Sequence, residues 1–149
     1  MLMPTKILVP TDFSEHSDKA LRQAFDIAKQ YKAMVYVLHV VHEKMGDRID
    51  DYGLTYPAYV KDIETKMIEA ARTQLQKQID KFPQAKEVEV VSDVVIGNAS
   101  EAILEEETKK GIDLIVIASL GRTGLAKYLI GSVARNVLKG SKCHVLLTK

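Results

Sequence analysis

A single cysteine, Cys143, excludes an intrachain disulfide. The four histidines and that cysteine show no metal-ligand spacing. No apolar run approaches the ~20 residues of a membrane-spanning helix. Neither sign of charge dominates: 21 Lys plus Arg against 20 Asp plus Glu leave +1, which gives no support for general nucleic-acid binding. No signal-peptide pattern precedes the strand-like run after Lys6. Internal repeats, low-complexity tracts and interdomain linkers are missing. So are G-x-x-x-x-G-K-[ST], the P-loop, and G-x-G-x-x-G after the first apolar run, the dinucleotide fingerprint. No G-x-S-x-G elbow supports a Ser/His/Asp triad. The expectation is a reduced, cytoplasmic, soluble protein with neither a nucleic-acid nor a membrane partner.

What is present suits one globular domain spanning 1–149. Apolar residues make up 46% and charged residues 28%, ordinary for a folded chain. A chain of this length buries roughly 70% of the surface its unfolded form exposes. Five short apolar runs are spaced along it: Ile7–Val9 closed by Pro10, Met34–Val41, Val88–Ile96, Ile112–Ala118, and His144–Leu147 preceded by Cys143. Each is rich in Val or Ile or in other apolar residues at strand length. The second and fourth are apolar almost throughout, as expected where both faces of a parallel sheet are covered.

Helical patterns lie between the runs. Ala20, Leu21, Ala24, Phe25, Ala28 and Tyr31 recur at i, i+3, i+4 spacing, with Ser14 or Ser17 as the cap. Val60, Ile63, Met67, Ala71, Leu75, Ile79 and Phe82 mark a longer helix ending before Pro83. Asn98 with Glu101 forms a capping-box arrangement. The helix it opens carries Glu105–Lys109 and Glu106–Lys110 pairs at i, i+4, and Gly111 closes it as a left-handed residue. A last helix runs from about Ser132 to Lys139, with Gly140 as a stop of the same kind. Strands alternating with helices imply a parallel sheet in a three-layer α/β sandwich. The long irregular stretch from Glu43 to about Ala58 has the length of a functional or mobile loop.

In open α/β sheets ligands bind beyond the carboxyl ends of the strands. The residues there are Pro10-Thr11-Asp12-Phe13-Ser14, then Val40-Val41-His42, Gly97-Asn98, and Ala118 through Gly124 with Gly131-Ser132. Gly131-Ser132 precedes a helix, where open N–H groups and the helix dipole favour an anion. A turn with Ser132 as N-cap explains the same residues, and composition alone favours it. Asp12 likewise reads first as a cap. His39 reads as a hydrogen-bonded core histidine, His16 and His42 as exposed, and Cys143 as buried and inert. Arg122 and Lys127 either offset phosphate charge or sit in a solvated loop.

The chain resembles the universal stress proteins over nearly its whole length. The resemblance rests on Ile7 to Ser14 (ILVPTDFS), Leu38-His39-Val40, Asp113-Leu114-Ile115-Val116, Gly121-Arg122-Thr123-Gly124-Leu125 and Gly131-Ser132-Val133-Ala134. The family's ATP-binding branch carries Gly, two residues, Gly, nine residues, Gly, then Ser or Thr. Gly121, Gly131 and Ser132 fit its later part, while Ala118 stands at the first glycine. Leu120 replaces a common His, and His144 a common strand-5 proline. The resemblance implies a Rossmann-like fold of the adenine nucleotide alpha hydrolase-like kind, with a five-stranded parallel sheet in the order 3-2-1-4-5. It implies ATP across the switch point, with Mg²⁺ arriving on the phosphates. Pro10, Thr11, Asp12, Val40, Ile117, Ala118, Gly121, Arg122, Gly131, Ser132 and Val133 would form the site. Asp12 would take the ribose and the Val40 backbone the adenine edge. Gly121, Gly131, Ser132 and Val133 would hold phosphates.

The resemblance further implies a homodimer joined through the last strand, Cys143–Thr148, with Val145 and Leu147 against their symmetry mates. The expected function is a nucleotide-dependent stress sensor or adaptor with a downstream protein partner. No general base or arginine finger is assigned, so any ATP hydrolysis is expected to be slow. A nucleotide-free interaction protein of the same fold, and a slow ATP hydrolase, are the alternatives.

Overall fold

The computed structural model describes residues 2–42, 58–120 and 130–149. Of the sequence expectations, most of the Glu43–Ala58 stretch lies outside the described residues, as do Gly121, Arg122, Gly124 and Lys127. The elements in order are β1 (Lys6–Pro10), α1 (Glu15–Tyr31), β2 (Met34–His42), α2 (Ala58–Asp80), a 3-10 turn (Pro83–Glu87), β3 (Glu89–Gly97), α3 (Ala99–Lys110), β4 (Leu114–Ala118), α4 (Ser132–Gly140) and β5 (His144–Thr148). The strands form one sheet in the order β3-β2-β1-β4-β5, every neighbouring pair parallel.

Strand alternation sends side chains to two cores. Ile7, Val9, Val35, Val37, Leu114 and Val116 meet Leu21, Phe25 and Leu75 of α1 and α2 on one face. Leu8, Leu38, Ile115 and Ile117 meet Ile103 of α3 and Ala134 and Val137 of α4 on the other. Each fully buried aliphatic side chain contributes about 1.5–3 kcal/mol. The near-continuous apolar runs of β1, β2 and β4 are thus the direct consequence of two covered faces.

Several boundaries differ from the sequence reading for local reasons. Ser14, not Ser17, caps α1, its hydroxyl accepting the Ser17 N–H at 3.2 Å. Tyr31 is exposed, and α1 closes at Lys32 in the left-handed region (φ 58°) with no glycine. Met67 is exposed as well, and α2 ends at Asp80; Phe82, beyond it in extended backbone, still reaches the core against Phe25. Ile112 and Asp113 belong to a turn rather than to β4. The Asp113 carboxylate accepts the N–H of Thr5 and of Lys6 and the Thr5 hydroxyl, which pins the start of β1.

The two glutamate–lysine pairs of α3 do not form among the described residues. Lys110 instead sits 5.9 Å over the Tyr36 ring, and ion pairs among the described residues include Lys29–Glu87, Arg72–Asp93 and Lys81–Asp18. Asn98 caps α3 and Gly111 closes it at φ 64°, as the sequence predicts. Gly140 does not act that way. It is the last residue of α4, and a Cβ there would lie 2.6 Å from Leu104 Cδ1. Its role is a close approach between α4 and α3. No helix among the described residues is long and apolar enough to cross a membrane.

Candidate functional site

β1 pairs with β4 only over Ile7–Leu114 and Leu8–Ile115, where the strand order reverses. Beyond those pairs the sheet opens into a cavity of about 310 Å³. Pro10, Thr11, Asp12, Val40, Ile117, Ala118, Gly131, Ser132 and Val133 all line it. Residues far apart in sequence are thus gathered at the carboxyl end of the sheet, where open α/β folds bind ligands.

The first wall is the β1–α1 turn. Thr11 N–H donates to the Leu38 carbonyl at 2.9 Å, the last such bond between β1 and β2. Asp12 Oδ1 accepts the Ser14 N–H at 3.0 Å, which fixes the carboxylate locally without capping the helix. Phe13 follows at φ 67°, a left-handed conformation unusual for an aromatic residue. Two contacts hold it there. Its ring stacks on His39 at 4.1 Å, and its N–H donates to the Thr11 hydroxyl at 3.1 Å. His39 Nδ1 lies 2.8 Å from the Thr11 carbonyl, so Nδ1 carries the proton and donates. His39 is a half-buried, hydrogen-bonded histidine, and it also lines the cavity.

The second wall is β2. It outruns β1, continuing to His42 while pairing with β3. The Leu38 carbonyl points toward β1. By alternation the N–H and carbonyl of Val40 point the same way, where β1 no longer runs alongside. Val40 therefore turns one backbone donor and one acceptor toward the cavity.

The third wall is the start of α4. Gly131, not Ser132, is the N-cap residue, with φ −59° and ψ 155° and no side-chain cap. Ser132 is the first helical residue and is exposed. The Gly131 N–H donates to the Ser119 carbonyl at 2.7 Å. The Arg135 N–H is the first to find a carbonyl near the helix, that of Gly131. The N–H groups of Ser132, Val133 and Ala134 thus have no acceptor within the helix and form an anion-binding end.

Ser119 and Leu120, read beyond the fourth strand but left out of the expected site, also line the cavity, and sequence reasoning missed Ser17, Ala99 and Ile103. Ser119 and Leu120 adjoin Ala118, so the end of β4 signals them. Ser17, Ala99 and Ile103 lie on helix faces and are placed only by the packing. Cys143 proves half-buried rather than buried. Burial raises its thiol pKa, and the Glu107 carboxylate adds to the rise against a hydrogen bond from Ser141 that opposes it. Among the described residues no group of three or more His, Cys, Asp or Glu could hold a metal ion.

A parallel sheet with the strand order β3-β2-β1-β4-β5 and a crevice at its switch point defines a doubly wound, Rossmann-like α/β domain. The profile of the universal stress protein family matches residues 3–149, and the chain belongs to that family. It is similar to the universal stress protein MJ0531 of Methanocaldococcus jannaschii, 35% identical over 144 residues, covering 97% of this chain and 81% of the relative. MJ0577 of the same organism is 31% identical over 159 aligned positions, covering 99% and 96%. The solved structure of MJ0577 superposes with a TM-score of 0.81 at 29% identity, over 99% of this chain and 97% of that one. A universal stress protein crystallised in complex with cAMP shares the fold, with a TM-score of 0.69 at 23% identity over 99% and 98% of the two chains.

Proposed function

We propose that this chain binds ATP in the cavity between β1, β2 and α4 and acts as a cytoplasmic, nucleotide-dependent stress sensor or adaptor. The observation that carries the reading is the convergence of three complementary groups on one cavity. The Asp12 carboxylate suits ribose hydroxyls. The Val40 N–H and carbonyl match the acceptor and donor on the adenine edge. The N–H groups that begin α4 suit phosphate. The complex of a universal stress protein with cAMP supports an adenine nucleotide as the class. Gly121 and Arg122 belong to the proposed phosphate side on the strength of the family pattern. Mg²⁺ would arrive on the phosphates, since it keeps several waters and takes few protein ligands; there it would neutralise phosphate charge.

Ala118 at the position of the first motif glycine favours a second reading, an adaptor of this fold without nucleotide. Small molecules released from freshly purified protein decide between the two. Co-purifying adenine nucleotide, with saturable ATP binding by calorimetry, is the expected result. Neither one would leave the adaptor reading. Steady-state phosphate release, expected to be slow, tests the hydrolase alternative.

A further inference from the structure

Behind the Asp12 turn lies a buried polar cluster that reaches α2. Gln78 is 4% exposed, Thr11 5% and Ser17 2%. The Thr11 hydroxyl lies 2.7 Å from Gln78 Oε1, and Gln78 Nε2 lies 3.1 Å from Ser17 Oγ and 2.8 Å from Asp18 Oδ1. The Ser17 hydroxyl lies 2.7 Å from the Ser14 carbonyl and must donate to it. One consistent set of protons follows. The Phe13 N–H donates to the Thr11 oxygen, and Thr11 donates to the Gln78 carbonyl. The Gln78 amide donates to Ser17 and to Asp18. Turning the amide over would set its oxygen against the Asp18 carboxylate, so its orientation is determined.

We infer that Gln78 is a positioning residue for the nucleotide: through the Thr11 and Ser17 hydroxyls it holds the β1–α1 turn that presents Asp12 to the cavity. The inference rests on the ATP reading above. Thr11 and Ser17 line the cavity, whereas Gln78 lies behind them and does not. Gln78 acts through both: the Thr11 hydroxyl has two acceptors within reach, Gln78 Oε1 at 2.7 Å and Ser17 Oγ at 2.9 Å, and Gln78 holds the nearer one and donates to the other. Without it the Thr11 hydroxyl can turn away from the Phe13 N–H, and the left-handed turn loses one of its two holds.

The test compares Gln78→Leu with Gln78→Glu, titrated with Mg²⁺–ATP by calorimetry at about pH 8.5 and pH 5.5, each relative to wild type at the same pH. The charged groups facing this position among the described residues are Asp18 on α1 and Lys81 on α2, the lysine 2.7 Å from Asp18 Oδ2. A glutamate introduced there is held protonated to higher pH by burial and by Asp18. Its protonated form has the acceptor and one donor of the amide; its ionised form has no donor. Gln78→Leu should lose about tenfold in affinity at both pH values. Gln78→Glu should lose several-fold at high pH, where the carboxylate still accepts from Thr11 but cannot donate to Ser17 and repels Asp18, and recover to within about twofold at low pH. Hydrogen exchange of the Phe13 amide should lose protection in Gln78→Leu while the β1 and β2 amides keep theirs.

Wild-type affinity and Phe13 protection in both variants would overturn the inference. So would a loss in Gln78→Glu that is equal at both pH values, since a packing defect does not titrate. If the wild-type protein fails to bind ATP, the functional reading falls, and Phe13 protection still decides whether Gln78 holds the turn.

Discussion

At the mouth of α4 two adjacent residues do different things. Gly131 has a backbone conformation open to any residue, and its N–H is already given to Ser119. Gly131 lines the cavity. Gly131→Val should weaken ATP binding at least tenfold, roughly, by filling that space, with little change in melting temperature. If it binds like wild type, the phosphates lie elsewhere. Ser132→Ala should cost about 1.5–3 kcal/mol of binding, one hydroxyl bond to a charged group. Its melting temperature should hold, because the Ser132 hydroxyl caps nothing. A fall in melting without a loss of affinity would reverse that assignment. At this scale the sequence showed which residues gather but not their individual tasks. Ser132 read as the cap of the last helix, and Asp12 as a cap beside Ser14 or Ser17 for the first. The caps are Gly131 and Ser14, because the last extended residue before each helix decides the matter and composition does not single it out.

Between elements, a single carboxylate ties α3 to the α4–β5 turn. Glu107 is 6% exposed, and its Oε1 accepts the N–H groups of Lys142 and Cys143, each at 2.8 Å, and the Ser141 hydroxyl at 3.0 Å. Burial by itself would raise its pKa. The N–H groups of Lys142 and Cys143 with the Ser141 hydroxyl outweigh burial and hold it below the ordinary 4.5. A depressed carboxyl stabilises the fold above its unfolded pKa, and that contribution is lost as pH falls through the folded value. Glu107→Gln keeps the acceptor and loses the charge, so it should cost about 1–2 kcal/mol near pH 7. The difference from wild type should vanish in acid below the usual carboxylate range. A pH-independent difference in urea melts would show that the charge contributes nothing. The strands and helices were legible because periodicity is a local property, and β1, β2 and β4 carry it plainly. Glu107, Asp113 and Gln78 were not, because their partners lie 34 to 108 residues away and no spacing records them. A glutamate one helical turn beyond Ile103, on the buried stripe of α3, was the available sign.

For the whole molecule, β5 ends the sheet with one side paired to β4. Val145 and Leu147 pack their half-buried side chains against the core shared with α3 and α4. The Ser119 N–H donates to the Thr148 carbonyl, so Thr148, Leu146 and His144 turn their backbones to β4. Val145 and Leu147 then turn theirs outward, an open edge of the kind that pairs with another chain. If two copies join there, the contact is through backbone, and charges on those side chains would injure the core instead. Val145→Pro removes one outward N–H and leaves the ladder to β4 intact. It should convert a dimer to a monomer by light scattering. A dimeric mass in that variant would move the interface off β5.

The bonds from Thr148 to Ser119 and from Ser119 to Gly131 have a thermodynamic implication. Two backbone hydrogen bonds through Ser119 join the outermost strand to the first turn of α4. An equilibrium that orders one end changes the free energy of ordering the other, and such linkage is reciprocal. If two copies pair at β5, saturating ATP should change the dimer's dissociation constant by the square of the factor by which dimerisation changes the affinity for ATP, since such a dimer carries two sites. Sedimentation with and without nucleotide would read one limb of that cycle and calorimetry across a dilution series the other. Limbs that disagree with that square relation would break it.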